Sequence, residues 1–159
     1  MAAPLTPEEL DALEARLDAW FAREAEENPM VAALDRGEPG ERRWYLRVRG
    51  IEKETFTLWF TLGQRTLRYE TYVMPAPEEN ESAFYEHLLV RNLGLYGWSF
   101  AIGEEHAVFL QGAIGAGALA DDAVLADELD RITGSGWEYV ERFFKPALRI
   151  GFATRFGGG

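Results

Sequence analysis

Apolar residues recur every three or four positions near the start of the chain. Leu10, Leu13, Leu17, Trp20 and Phe21 form one stripe, with Asp11, Glu14, Asp18 and Glu24 opposite. That period predicts an amphipathic helix with one face toward a core. Thr6 is placed to cap it, Pro7 suits the first helical position, and Glu9 completes a capping box. Asn28-Pro29 marks a boundary. Met30 to Arg36 fits either a short helix capped by Asn28 or an extended piece, and Gly37-Glu38-Pro39-Gly40 reads as a turn. The period then switches to two. Arg43 to Arg49 sets Trp44, Leu46 and Val48 against Arg43, Tyr45, Arg47 and Arg49. Thr55 to Leu62 sets Phe56, Leu58, Phe60 and Leu62 against Thr55, Thr57, Trp59 and Thr61. Thr66 to Met74 sets Leu67, Tyr69, Thr71 and Val73 against Arg68, Glu70 and Tyr72. Three alternations joined by short links predict an antiparallel meander with one buried face.

Pro75-Ala76-Pro77 stops the sheet. A second helix is expected from about Asn80 to Leu93, carrying Phe84, Leu88 and Leu89, with Gly94 as its stop. A hairpin follows, Trp98 to Ile102 and Ala107 to Gln111, turning at Gly103-Glu104-Glu105, and Gly112 to Gly117 reads as flexible. The last helix starts near Asp121 or Asp122 and carries Leu125, Leu129, Ile132, Val140 and Phe143. Gly134 and Gly136 inside it each cost about 1 kcal/mol against alanine, so a kink or break fits there. Pro146 is expected to end or bend the helix. In the tail, Leu148, Ile150 and Phe152 alternate with Arg149, Gly151 and Ala153, and Phe156 precedes three glycines; a frayed helix end and an extended arm both fit. The order α-β-β-β-α-β-β-α predicts a single α+β domain over 1–159, with its core at about 7–146 and a tail at 147–159. Its expected architecture is a five-stranded antiparallel sheet covered on the apolar face by helices.

Composition narrows the chemistry. The 159 residues carry a formal net charge of −11 and no cysteine. The absence of cysteine removes thiolate nucleophiles, zinc fingers, iron–sulfur clusters and disulfide switches. The acidic balance argues against nucleic acid as a partner, because such binders need a basic footprint. No apolar run approaches the ~20 residues of a membrane span, and Met1 to Leu10 shows no signal peptide, so no membrane role and a cytoplasmic location are expected. Basic residues are almost all arginine, with lysine only at Lys53 and Lys145. Codon bias explains that, and bidentate carboxylate pairing is the alternative.

Individual motifs fail as catalytic or cofactor sites. Gly115-Ala116-Gly117-Ala118-Leu119-Ala120 has dinucleotide-turn spacing, but helix follows where a second parallel strand should stand. His87 and His106 lie on different elements without ligand spacing, and Glu104-Glu105-His106 reads as a solvated turn. The carboxylate pairs Glu78-Glu79, Asp121-Asp122 and Asp127-Glu128 lie at helix starts or exposed faces, where nothing separates their pKa values. Gly134-Ser135-Gly136 misses the spacing of a nucleophile elbow. Asn80-Glu81-Ser82 matches a glycosylation sequon and reads as a helix cap. The expectation is no catalytic residue, no metal and no cofactor.

The stronger candidate is the second face of the meander, where Tyr45, Arg47, Trp59, Arg68 and Tyr72 project together. These residue types dominate protein–protein hot spots, and an exposed aromatic patch marks an interface. Cross-strand stabilisation or cover by another helix would also account for them. The leading reading is a non-enzymatic protein- or peptide-binding domain working as a homodimer, with Tyr45, Trp59 and Tyr72 as anchors and Arg47 and Arg68 pairing acidic groups. The alternative is a small-ligand sensor with an apolar pocket between sheet and C-terminal helix.

Three stretches also carry a resemblance. Tyr72-Val73-Met74-Pro75-Ala76-Pro77-Glu78-Glu79-Asn80, then Leu88-Leu89-x-x-Asn92-Leu93, then Phe100-Ala101-Ile102-Gly103 resemble the YbjN family of bacterial sensory transduction regulators. The helix and hairpin are similar to those of the type III secretion chaperone fold. The resemblance runs from about Leu10 to Phe144. It implies a chaperone-like α+β domain, often dimeric, that holds extended partner segments and has no catalytic residues. The long Arg-rich first strand and the tail after Pro146 depart from the family pattern.

Overall fold

The Glu9 amide donates to Thr6 Oγ1 at 3.2 Å and the Thr6 amide to Glu9 Oε1 at 3.0 Å, closing the expected capping box. It opens α1 (Pro7–Glu27), whose Leu10, Leu13, Leu17, Trp20 and Phe21 are all buried. The computed structural model describes residues 3–156, so the run of terminal glycines lies outside the described residues. After α1 come β1 (Val31–Arg36), β2 (Arg43–Arg49), β3 (Thr55–Leu62) and β4 (Thr66–Met74). Then follow α2 (Glu81–Asn92), β5 (Ser99–Ile102), β6 (Val108–Gly115), α3 (Asp122–Gly151) and the short α4 (Ala153–Phe156). The strands make one antiparallel sheet in the order β1-β2-β3-β4-β6-β5.

The sheet has six strands where five were expected. The additional one is Val31–Arg36, which pairs with β2 through Ala33↔Arg47 and Arg36↔Trp44. Between Pro29 and Pro39 there is too little chain for a stable helix, whereas the free edge of β2 satisfies the backbone groups of an extended segment. A second correction concerns Gly112 to Gly117. This stretch is ordered as strand up to Gly115, because β4 extends beneath it and supplies partners as far as Thr66↔Gly115. Glycine is required at Gly112. A Cβ there would lie 2.5 Å from Tyr69 Cε2 and 2.2 Å from Gly97 O, where the Tyr69 hydroxyl donates to that carbonyl at 2.6 Å.

Helix α3 corrects the expected break at the glycines and the expected end at Pro146. It runs unbroken for 30 residues through Gly134, Gly136 and Pro146. At Gly136 the backbone approaches Trp98 so closely that a Cβ would lie 2.5 Å from Cζ2; at Gly151 it passes Phe84 and Pro77 in the same way. The packing gained by these approaches offsets the intrinsic cost of glycine. Pro146 removes one helical hydrogen bond, but Val140 and Ala147, fully buried on either side, hold the helix to the core. The tail continues as α3 and α4, so it is no extended arm. Two smaller differences lie in α2. Leu89, expected on its buried stripe, is 67% exposed. Asn80 does not cap the helix with its side chain; it takes a positive φ of 54° and donates from Nδ2 to Ile150 O at 2.9 Å.

The core lies between the helices and the sheet face carrying Trp44, Leu58, Phe60, Leu67 and Tyr69. Phe21 stacks on Trp44 at 5.4 Å and tilts against Phe60 at 4.9 Å, which fixes α1 over the meander. The Trp44 indole reaches the core edge and donates to Asp18 at 2.8 Å. Helix α3 grips the β2–β3 loop. Trp137 Nε1 donates to Arg49 O at 2.8 Å, and the Glu141 carboxylate accepts the Ile51 and Glu52 amides at 2.7 and 2.5 Å.

Candidate functional site

The register puts Tyr45 opposite Trp59, Trp59 opposite Glu70, and Glu70 opposite Gln111, in one row across four strands. Period-two alternation turns this row away from the helices. The face stays accessible: Tyr45 and Trp59 are half-buried, Arg47 and Arg68 are exposed, and Tyr72 is 39% exposed. All five residues expected on this face therefore share it.

Phe109, whose role was not legible in the sequence, joins them. Its ring meets Trp59 edge-on at 6.1 Å and Tyr72 at 5.7 Å, making an aromatic ladder across β3, β6 and β4. The Trp59 indole N–H donates to Glu70. Arg43, Tyr45, Trp59, Glu70, Phe109 and Gln111 line a shallow depression of about 500 Å³. Arg43 is engaged there. Its Nε donates to Thr61 Oγ1 at 3.1 Å, and a hydrogen bond with Tyr45 holds its pKa above the ordinary value. Arg47 and Arg68 make no side-chain hydrogen bond or ion pair among the described residues. They flank the ladder, opposite Thr57 and Thr61 of β3 respectively.

A second surface was not anticipated. Leu89, Val90, Leu93 and Tyr96 at the end of α2 are 67%, 49%, 90% and 69% exposed, and Ile102 of β5 is 55% exposed. β5 terminates the sheet, and on its outer edge Asn92 of α2 stands in for a strand at Phe100, accepting from the Phe100 amide at 2.7 Å and donating to its carbonyl at 3.2 Å. The run Leu88-Leu89-Val90 was the sequence signal for this patch, since one helix face cannot bury three consecutive residues.

A third feature lies between the end of β4 and the C-terminal half of α3. It is a groove of about 490 Å³ lined by Tyr72, Met74, Phe144, Leu148, Phe152 and Lys53, among others. Lys53 Nζ donates to Tyr72 O at 3.1 Å and Val73 O at 2.7 Å, and lies 5.0 Å from the Tyr72 ring and 5.3 Å from that of Phe144. Burial is what lowers its pKa, to about 8. His87 sits elsewhere, and burial, then Arg91, lowers its pKa. Among the described residues no three of His, Cys, Asp and Glu converge as metal ligands, and no helix is long and apolar enough to cross a membrane.

The profile of the YbjN family, described as "Putative bacterial sensory transduction regulator", matches residues 15–149. The chain belongs to the YbjN family. Similar curated proteins include an uncharacterized protein of Mycobacterium bovis and one of Mycobacterium tuberculosis. Each is 33% identical over 116 residues, which is 73% of this chain and 55% of the relative. An uncharacterized protein of Mycobacterium leprae is 32% identical over the same length. The chain thus spans about half the length of the curated relatives it matches. In fold, this YbjN-family chain is similar to a chain of the heterodimeric ExoU–SpcU complex from the type III secretion system of Pseudomonas aeruginosa. The TM-score is 0.53 at 16% identity, covering 82% of this chain and 96% of that one. The family read from the sequence is borne out, as is the expected likeness in fold to a protein of a type III secretion system.

Proposed function

We propose that this chain is a non-enzymatic, chaperone-like regulatory domain of the cytoplasm that holds an extended acidic segment of a partner protein on the open face of its sheet. The observation that carries this reading is the accessible Trp59–Phe109–Tyr72 ladder, flanked by Arg47 and Arg68, which make no side-chain hydrogen bond or ion pair among the described residues. Arg47 and Arg68 stand two strands apart and four residues apart in register. That is about 10 Å across the sheet and about 13 Å along it, so a peptide crossing diagonally presents carboxylates to both while its apolar side chains meet the aromatics. Further support comes from the fold shared with a chain of a heterodimeric complex. The ladder's own carboxylate, Glu70, is engaged by the Trp59 indole, which suits a recognition surface better than acid–base chemistry.

The same proposal includes a homodimer. The exposed Leu89 and Leu93 at the end of α2 and Ile102 of β5 offer an apolar surface away from Trp59 and Phe109 on which two copies could meet. Sedimentation over a concentration series reads it, and Leu89→Asp with Leu93→Asp should leave monomers. Partner binding is tested by crosslinked capture from source cytosol with wild type, Trp59→Ala and the Arg47→Ala/Arg68→Ala pair, all shown to be folded. A partner retained by wild type and reduced at least tenfold in both variants supports the reading. Equal retention by all three overturns it.

A further inference from the structure

Lys53 and Lys145 are the only lysines of a chain with a net charge of −11, and both line the apolar groove between β4 and α3. Lys145 is paired with Glu52 at 2.5 Å, and Arg155, at the other side of the groove, with Glu78 at 2.9 Å. Lys53 is different. Its ammonium touches two backbone carbonyls and two aromatic rings but no carboxylate among the described residues. A desolvated cation without a counter-ion is costly, and proteins rarely keep one without a partner.

Its position is built rather than incidental. The β2–β3 loop is held on α3 by Glu141, whose carboxylate takes two consecutive loop amides. Gly50 allows the tight turn, since a Cβ there would lie 2.0 Å from both Lys53 O and Glu141 Oε1. This arrangement delivers the Lys53 side chain between Tyr72 and Phe144, with one of its three N–H groups left over after the two carbonyls. Beside it the groove floor is apolar: Met74 and Phe152 are 1% and 2% exposed, and Phe144 and Leu148 complete the wall. Its volume of about 490 Å³ lies within the ~300–1,000 Å³ of small-molecule sites.

We propose that this groove binds a small apolar carboxylate, with its head group on Lys53 and its hydrocarbon body against Met74, Phe144, Leu148 and Phe152. The carboxylate supplies the countercharge that no described residue gives Lys53. The groove shares Tyr72 with the aromatic ladder but uses neither Trp59, Phe109, Arg47 nor Arg68, so the proposal does not rest on the partner-binding reading. Burial already disfavours the charged lysine, lowering its pKa to about 8, and a bound anion reverses that penalty.

The probe is decanoate below its micellar concentration, with decanol as the uncharged counterpart. Methyl-labelled methionine gives a local readout, because the described methionines are Met74 in the groove and Met30 at a different cavity. Decanoate should shift the Met74 methyl resonance saturably, leave Met30 unmoved, and bind at least tenfold more tightly than decanol. Lys53→Leu, shown to be folded by circular dichroism, should bring the two ligands within about threefold. An unmoved Met74, equal binding of the two ligands by wild type, or an unchanged preference in folded Lys53→Leu would each overturn the proposal. The wild-type comparison decides it alone if the variant does not fold.

Discussion

Gly134 and Gly136 stand two residues apart in α3, yet alanine at these positions should act with opposite sign. In a solvent-facing helix position alanine is favoured over glycine by about 1 kcal/mol. Gly134 is exposed and a Cβ there would meet nothing within 4 Å, so Gly134→Ala collects that gain. At Gly136 the Cβ would lie 2.5 Å from Cζ2 and 3.0 Å from Cε2 of Trp98. The indole has nowhere to go. It is 3% exposed, its Nε1 donates to Ile132 O at 3.0 Å, and Tyr69 packs edge-on at 4.7 Å. Forced overpacking of this kind costs ~1–3 kcal/mol. After the propensity gain, Gly136→Ala ends about 0–2 kcal/mol less stable than wild type, and the two variants differ by about 1–3 kcal/mol. At ~2–4 °C per kcal/mol for a chain of this size, Gly134→Ala melts about 2–4 °C higher and Gly136→Ala up to about 8 °C lower. Urea unfolding followed by far-ultraviolet circular dichroism measures both. Equal stabilisation by the two substitutions would refute the claim that Trp98 occupies the side-chain position of Gly136.

Phe60 and Trp59 are sequence neighbours on opposite faces. Phe60 is fully buried, so Phe60→Ala should cost ~3–5 kcal/mol. Trp59→Ala loses one edge-on ring contact and one hydrogen bond, about 1–2 kcal/mol; equal losses in chemical denaturation would place Trp59 in the core. The lowered pKa of Lys53 means that between about pH 8 and its unfolded value near 10.5 the unfolded chain binds more protons than the native one. Stability therefore rises with pH in that window relative to Lys53→Met, and a flat difference between the two pH profiles would refute the burial of the ammonium. Glu141→Gln removes the second acceptor oxygen from the pair of loop amides. It should speed hydrogen exchange at Ile51 and Glu52 and cost about 1–2 kcal/mol, whereas unchanged exchange would show that the loop does not depend on this latch.

The parts legible in the sequence are those where a local pattern and the tertiary demand coincide. Thr6 and Glu9 close their box within four residues, and the strands at 43–49, 55–62 and 66–74 keep the bounds that alternation sets. The sequence misled where a distant partner decided the local conformation. Val31–Arg36 has no strong period of its own and becomes a strand because β2 offers an edge. Gly112, Gly136 and Gly151 look like breakers, yet each is small because Tyr69, Trp98 or Phe84 with Pro77 lies against it. The same distinction holds for the surfaces. Tyr45, Arg47, Trp59, Arg68 and Tyr72 share a face by parity alone. Phe109 joins them only through the β4–β6 register, and the Lys53 groove exists only because α3 captures a loop about 90 residues upstream.

Charge pairing links these surfaces. Among the carboxylates of α1, Glu14 and Asp18 take Arg36 at 2.8 and 2.6 Å, while Asp11 and Glu14 take Arg42, both at 2.8 Å. Exposed pairs of this kind contribute ~0–1 kcal/mol each, so they orient the helix over the β1–β2 hairpin while its apolar stripe supplies most of the energy. With 27 acidic against 16 basic side chains, carboxylates outnumber cations, and several more of the arginines are taken up by them. Arg47 and Arg68 stand on the face whose strand carboxylate, Glu70, already serves Trp59. Lys53 is denied one because Glu141 spends both oxygens on loop amides and Glu52 turns to Lys145. Arg47, Arg68 and Lys53 thus have no carboxylate partner among the described residues, and the ladder and the groove place apolar surface near them. An anionic partner that meets them displaces no ion pair formed among the described residues.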